Sequence, residues 1–357
     1  MISKYILKIT LIVTTIICLQ GTAIANEFTK KIDHLLLEKF QPNATGAVFL
    51  VAKDGVPIYR KAFGKANIEL DVDMKANNVF QMGSMTKQFT ALSILILHEQ
   101  KKLDVNDNIA KYLPNYPNGE NITLHHLLTH TSGIKDFTKM KTLWAVAKKD
   151  LSPQELVDFF KNEPVDFNPG EKFKYNNSGY ALLGHIVEIA SGETYEDFVE
   201  KQIFKKLNMK DSRYANDREV IKNRAYGYHN KGQYTNRVMV SLSIPYSSGS
   251  LMSTVDDMLT WQQAIDKHLL VKQSTVEMAF SKYRLNNGEP ISYGYGWHLK
   301  DLNGVPTREH GGSIFGFKSM GVYIPSQNLY VIGLTNCDCN SPTQITRNIA
   351  ALFIENS

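Results

Sequence analysis

Cysteine is scarce in this 357-residue chain, which has only Cys18, Cys337 and Cys339. Three thiols cannot furnish a disulfide framework, and they are too few for a structural zinc site. Cys337 and Cys339 stand two positions apart, a spacing read as too tight for an unstrained bridge, so both are expected to be inert. Blocks of one charge are missing too. Forty Lys and Arg against 35 Asp and Glu give a formal charge of +5, spread along the chain, which argues against nucleic acid as a partner. No HExxH run occurs; His126 and His130 are four apart but lack a third ligand, so no metal is expected, and no other cofactor either. No Gly-x-Ser-x-Gly elbow surrounds a plausible nucleophile, which disfavours an α/β-hydrolase.

What is present reads as globular, with 43% hydrophobic and 21% charged residues. Lys4 and Lys8 precede an apolar run over residues 9–19, shorter than the roughly 20 residues a bilayer helix needs. Small residues at Ala23-Ile24-Ala25 then suit a signal peptidase. Residues 1–25 are therefore expected to be a cleaved leader, and the mature chain to be periplasmic or secreted.

Apolar residues at helical spacing predict a helix over 28–40, and Asp54-Gly55 between two apolar, β-rich runs predicts a hairpin. A long apolar helix is expected over 84–100. Residues 101–240 read as short helices and loops, one of them started by Ser152 as N-cap with Pro153 behind it. Strands are expected again over 316–324 and 329–335, then a helix over 343–354. The pattern predicts an α+β fold: a sheet domain from residues 26–100 and 241–357, interrupted by a mostly helical domain over 101–240.

Three short patterns carry chemistry, each weak alone. Ser84-Met85-Thr86-Lys87 places an amine one helical turn beyond a hydroxyl. A second match, Ser132-Gly133-Ile134-Lys135, lacks the following apolar helix and reads as a turn. Tyr175-Asn176-Asn177 falls in a loop just before a helix, although Tyr116, Tyr214, Tyr228 and Tyr234 begin the same Tyr-x-Asn pattern. His310-Gly311-Gly312 precedes the apolar run at 316–324, and its small residues would let a substrate lie close to a strand backbone; a polar turn is the plainer reading.

Taken in order, with TLHHLLTHTSGI, NPGEKFKYNNSGYALLGHIVEIASG, SSGSLMSTVDDMLTW and YGYGWHL around them, these patterns make the chain resemble the serine β-lactamase-related hydrolases over residues 28–354. The group includes class C β-lactamases, DD-peptidases of the penicillin-binding type, D-amino-acid peptidases and family VIII carboxylesterases. The resemblance implies a β-lactamase/transpeptidase-like fold, an antiparallel sheet flanked by helices plus a helical domain, with the active site between them. It implies Ser84 as nucleophile, Lys87 and Tyr175 as proton carriers, and Asn177, His310, Gly312 and Ser313 in substrate binding. The N–H groups of Ser84 and Ser313 would form the oxyanion hole. The implied substrate is a small molecule or peptide: an ester or amide, a D-amino-acid peptide, or peptidoglycan stem peptides and β-lactams if the chain is a penicillin-binding protein, carboxypeptidase or β-lactamase. His310 stands where class C enzymes carry Lys, so weaker recognition of carboxylates is expected unless Arg308 compensates.

Overall fold

A computed structural model describes residues 27–354; the expected leader lies outside them. Helix α1 (27–37) leads into strand β1 (Ala47–Lys53), which turns back through Asp54 and Gly55 into β2 (Val56–Phe63). Both turn residues have positive φ, 53° and 76°, the geometry a two-residue hairpin needs and Asp-Gly tolerates. The apolar run that follows forms helix α2 (Thr86–Glu99), preceded by a single tight turn over Gly83–Met85.

Four further strands come from the last quarter of the chain: β3 (His298–Leu302), β4 (Val305–Ile314), β5 (Phe317–Ile324) and β6 (Leu329–Thr335). They join the first hairpin in one antiparallel sheet of order β3-β4-β5-β6-β1-β2. Strand β1 is buried on both faces. Val48, Leu50 and Ala52 point to a core that also holds α2, while Ala47, Phe49 and Val51 point to a second core under α1 and the C-terminal helix α5 (Thr343–Ile354). This period-two division explains a continuous apolar run with no polar face.

The intervening chain supplies the short helices Leu124–Leu128, Leu143–Val146 and Pro153–Phe160, then helix α3 (Asn177–Ser191) and helix α4 (Val255–Asp266). Ser152 caps Pro153–Phe160 in a capping box with Glu155. Residues of α2, α3 and the short helices share one continuous core with the inner sheet face. No described helix is long and apolar enough to cross a membrane.

Two expectations are corrected. His310-Gly311-Gly312 precedes a strand, β5, as expected, but is itself no turn: it lies within β4, because that strand starts at Val305 and tolerates glycines that local sequence rules assign to turns. Cys337 and Cys339 form a disulfide: the chain reverses at Asp338 and brings their Cα atoms to 5.1 Å, inside the range a bridge spans.

On β4, buried Glu309 binds Arg347 of α5 and accepts a hydrogen bond from Thr307. Removing one partner of a buried pair leaves an uncompensated charge, which costs about 3–5 kcal/mol. Arg347→Met is therefore expected to lower unfolding free energy by about that amount in urea titration, and adding Glu309→Gln should restore part of it.

Candidate active site

The Gly83–Met85 turn and α2 set Ser84 and Lys87 one turn apart. Lys87 is fully buried, and its Nζ donates to Ser84 Oγ at 3.1 Å, Asn177 Oδ1 at 2.8 Å and the Ser248 carbonyl at 2.8 Å. These three acceptors use all three donors of an ammonium group. Burial nevertheless favours the neutral amine and lowers the Lys87 pKa to about 7, with Asp136 pulling weakly the other way.

Tyr175 sits across from this pair, its ring 4.8 Å from Lys87 Nζ. Its hydroxyl is buried beside Ser84, without the geometry of a full hydrogen bond. Burial raises its pKa well above the usual phenol value, partly offset by Ser84, so the phenol keeps its proton.

The two asparagines after Tyr175 divide two tasks. Asn176 caps α3, its Oδ1 accepting from Gly179 N at 2.8 Å. Asn177, the first residue of that helix, is thereby aimed at Lys87, and its Nδ2 donates to Thr138 Oγ1 at 3.1 Å. Asn177 lines the cleft, but its amide is engaged within the protein rather than left free for a ligand.

Strand β4 forms the opposite wall. Its pairing with β3 stops at Glu309, so from His310 to Ile314 one edge has no strand neighbour among the described residues. A Cβ on Gly83 would stand 2.8 Å from Ser313 N, and one on Gly312 would stand 1.9 Å from the Met82 carbonyl oxygen. The glycines let the nucleophile's turn and the strand backbone touch. Gly312 thus serves this contact rather than making room for substrate.

The His310 side chain is buried and does not line the cleft. Its Nδ1 donates to the Gly311 carbonyl at 2.6 Å, and its Nε2 lies 3.0 Å from Tyr293 Oη, from which it accepts when the ring is neutral. Burial, His298 and Lys87 together hold its pKa well below the usual value. With Tyr293, His298 and His130 it packs behind Tyr175. Arg308 stacks on Phe280 at 3.7 Å and is not among the cleft-lining residues. The second Ser-x-x-Lys is a turn, with Gly133 at φ 74° and Lys135 paired to Asp166.

Sequence reasoning missed Ser248, Thr138, Asp136 and Tyr293. Ser248 acts through its carbonyl, which leaves no mark in a sequence. It is carried by the short helix Tyr246–Gly249, where Tyr246 adopts φ 42°, an uncommon value for a bulky residue, and donates to Glu188 Oε1 at 2.7 Å. The cleft itself has a volume of about 380 Å³, with Ser84, Asn177 and Ser313 at its floor and Phe137, Trp144 and Phe315 among its walls.

A family model described as Beta-lactamase matches residues 28–354. Penicillin-binding protein 4* of Bacillus subtilis (strain 168) is 34% identical over 323 residues, which are 84% of this chain and 69% of that protein. A D-aminopeptidase of Gluconobacter oxydans (strain 621H) is 26% identical over 310 residues, 83% of this chain and 56% of its own length. The octameric penicillin-binding protein homologue from Pyrococcus abyssi has a similar structure, with a TM-score of 0.79 at 28% identity over 92% of this chain and 77% of that one.

The glycine contact carries its own test. Gly312→Ala should push β4 away from the Ser84 turn and slow labelling of Ser84 by a fluorophosphonate about a hundredfold, since ångström-scale misplacement costs that much. The circular-dichroism spectrum should stay that of the wild type. Labelling at the wild-type rate would show that the contact does not set the geometry.

Proposed function

This chain belongs to the beta-lactamase family and is a serine hydrolase, and on that premise we propose that it cleaves esters or amides through an acyl-enzyme on Ser84. The observation that carries the proposal is the buried Lys87 amine within hydrogen-bond reach of Ser84 Oγ. A neutral Lys87 takes the Ser84 proton as Oγ bonds to the substrate carbonyl carbon. The N–H groups of Ser84 and Ser313 receive the charge that develops on the carbonyl oxygen. Tyr175, held as the phenol, hands a proton to the leaving group and regains one from Lys87. In the second half-reaction water attacks the acyl carbon, its proton returns through the same pair, and Ser84 is released. Asn177 and the Ser248 carbonyl hold the amine in place; His310 acts from behind, through Tyr293 and the packing of Tyr175.

We further propose export behind the residue 1–25 leader, which would put D-amino-acid peptides, peptidoglycan stem peptides included, within reach. The names of the B. subtilis and G. oxydans relatives support this substrate range. The B. subtilis relative also supports a second reading, a penicillin-binding protein that acylates and deacylates slowly. A fluorescent penicillin separates the two: a lasting covalent label favours slow deacylation, whereas no label with rapid ester turnover favours the hydrolase. Among the described residues that line the cleft none is Lys or Arg to hold a carboxylate, which favours the second outcome.

Ser84→Ala should lower kcat/KM for a nitrophenyl ester by more than about a thousandfold, and unchanged turnover would overturn the assignment. Because the base must be neutral, wild-type kcat/KM should climb as pH rises through about 7 and level off above it. At pH 6 roughly a tenth of Lys87 would be unprotonated, and at pH 8 roughly nine-tenths. A profile flat from pH 5 to 9 would remove Lys87 as the base.

A further inference from the structure

Among the described residues that line the cleft, one carries a charged side chain, Asp338. It occupies the turn between the bridged cysteines, with Cys337 fully buried and the Asp338 N–H donating to the Tyr228 carbonyl at 3.2 Å. The turn is thus fixed covalently and by main-chain hydrogen bonding. The carboxylate remains 30% exposed. Its Oδ2 accepts from His229 Nδ1. His229 Nε2 in turn accepts from Val238 N at 2.9 Å, so the imidazole is neutral and donates without cancelling the carboxylate's charge. Oδ1 has no partner among the described residues. A rigid, charged acceptor with one oxygen free therefore faces a cleft whose walls include Phe137, Leu143, Trp144, Ile314 and Phe315.

We propose that Asp338 is a recognition site for a primary ammonium group, and that the preferred substrates are α-aminoacyl esters or amides with a free amine and an apolar side chain. The ammonium donates to Oδ1 while the apolar side chain lies along the aromatic wall. Partial shielding from water makes such a charge-assisted bond stronger than a fully exposed ion pair. Acylating the amine removes both its charge and two of its donors, so N-blocked substrates lose the contact. The inference rests on the hydrolase reading, since it assigns a specificity to the same cleft.

The test compares phenylalanine methyl ester with its N-acetyl derivative, both enantiomers of each, by titrating released acid with the wild type and Asp338→Asn. The wild type should favour the free amine at least about tenfold in kcat/KM for the enantiomer it prefers, the range of a charged hydrogen bond. Asp338→Asn should erase that preference by slowing the free amine while leaving the N-acetyl ester within twofold. Equal wild-type rates for the two esters, or an Asp338→Asn loss that falls equally on both, would overturn the proposal and reduce Asp338 to a structural link with His229. Failure of the hydrolase reading looks different: no ester is turned over and a fluorophosphonate does not label Ser84.

Discussion

The site depends on an amine held where water cannot reach it. Lys87 gives hydrogen bonds to Ser84, Asn177 and the Ser248 carbonyl, yet none of the three is an anion, and the nearby Asp136 carboxylate repays only part of the loss of hydration. Desolvation therefore dominates, and the amine becomes a base at a pH where an exposed lysine is an ammonium. The same burial acts on Tyr175 with the opposite chemical consequence: an acid is kept in its neutral, proton-bearing form. One dry environment thus separates the two groups into a base and an acid, the division that proton shuttling during acyl transfer needs.

Dryness at that depth has to be built from both ends of the chain. Strands β1 and β2 come from the beginning and β3 to β6 from the end, and α2 is buried on the face they form. The second core, under α1 and α5, fixes the sheet from its far side, with Arg347 clasping Glu309 on β4. Strand β4 is thereby anchored at Glu309, just before it passes the Ser84 turn. Two glycines permit main-chain contact there, so the spacing between Ser84 and Ser313 is set by backbone rather than by adjustable side chains. Strain also gathers at the site: Tyr246 accepts a left-handed φ, anchored by Glu188, in the element that presents the Ser248 carbonyl.

What the sequence disclosed follows from what is local. The Asp54-Gly55 hairpin, the Ser152 cap and the C-terminal helix depend on neighbours a few residues away, and each lies where its pattern indicated. Ser84 and Lys87 were legible for the same reason, being one turn apart. The course of β4 was not, since two successive glycines look like a turn until the strands on either side are known. The disulfide was hidden likewise, because the reach between Cys337 and Cys339 depends on the reversal at Asp338 and not on their separation in sequence. His310 stood out for its position in a motif, yet burial against Tyr293 gives it a supporting place behind the cleft.

That relocation of His310 bears on charge. With His310 neutral and buried and Arg308 stacked on Phe280, the β4 wall brings no cation to the cleft. Lys87 lies below the floor and is half neutralised near pH 7. The remaining formal charge facing a ligand is negative, at Asp338. A carboxylate-bearing substrate would approach a site with no cationic partner and one like charge, whereas an amine meets a single complementary group beside an apolar wall. Selectivity then arises as much from what the cleft lacks as from what it offers: rejecting anions needs no clash when the one charged side chain among the described residues that line the cleft repels them.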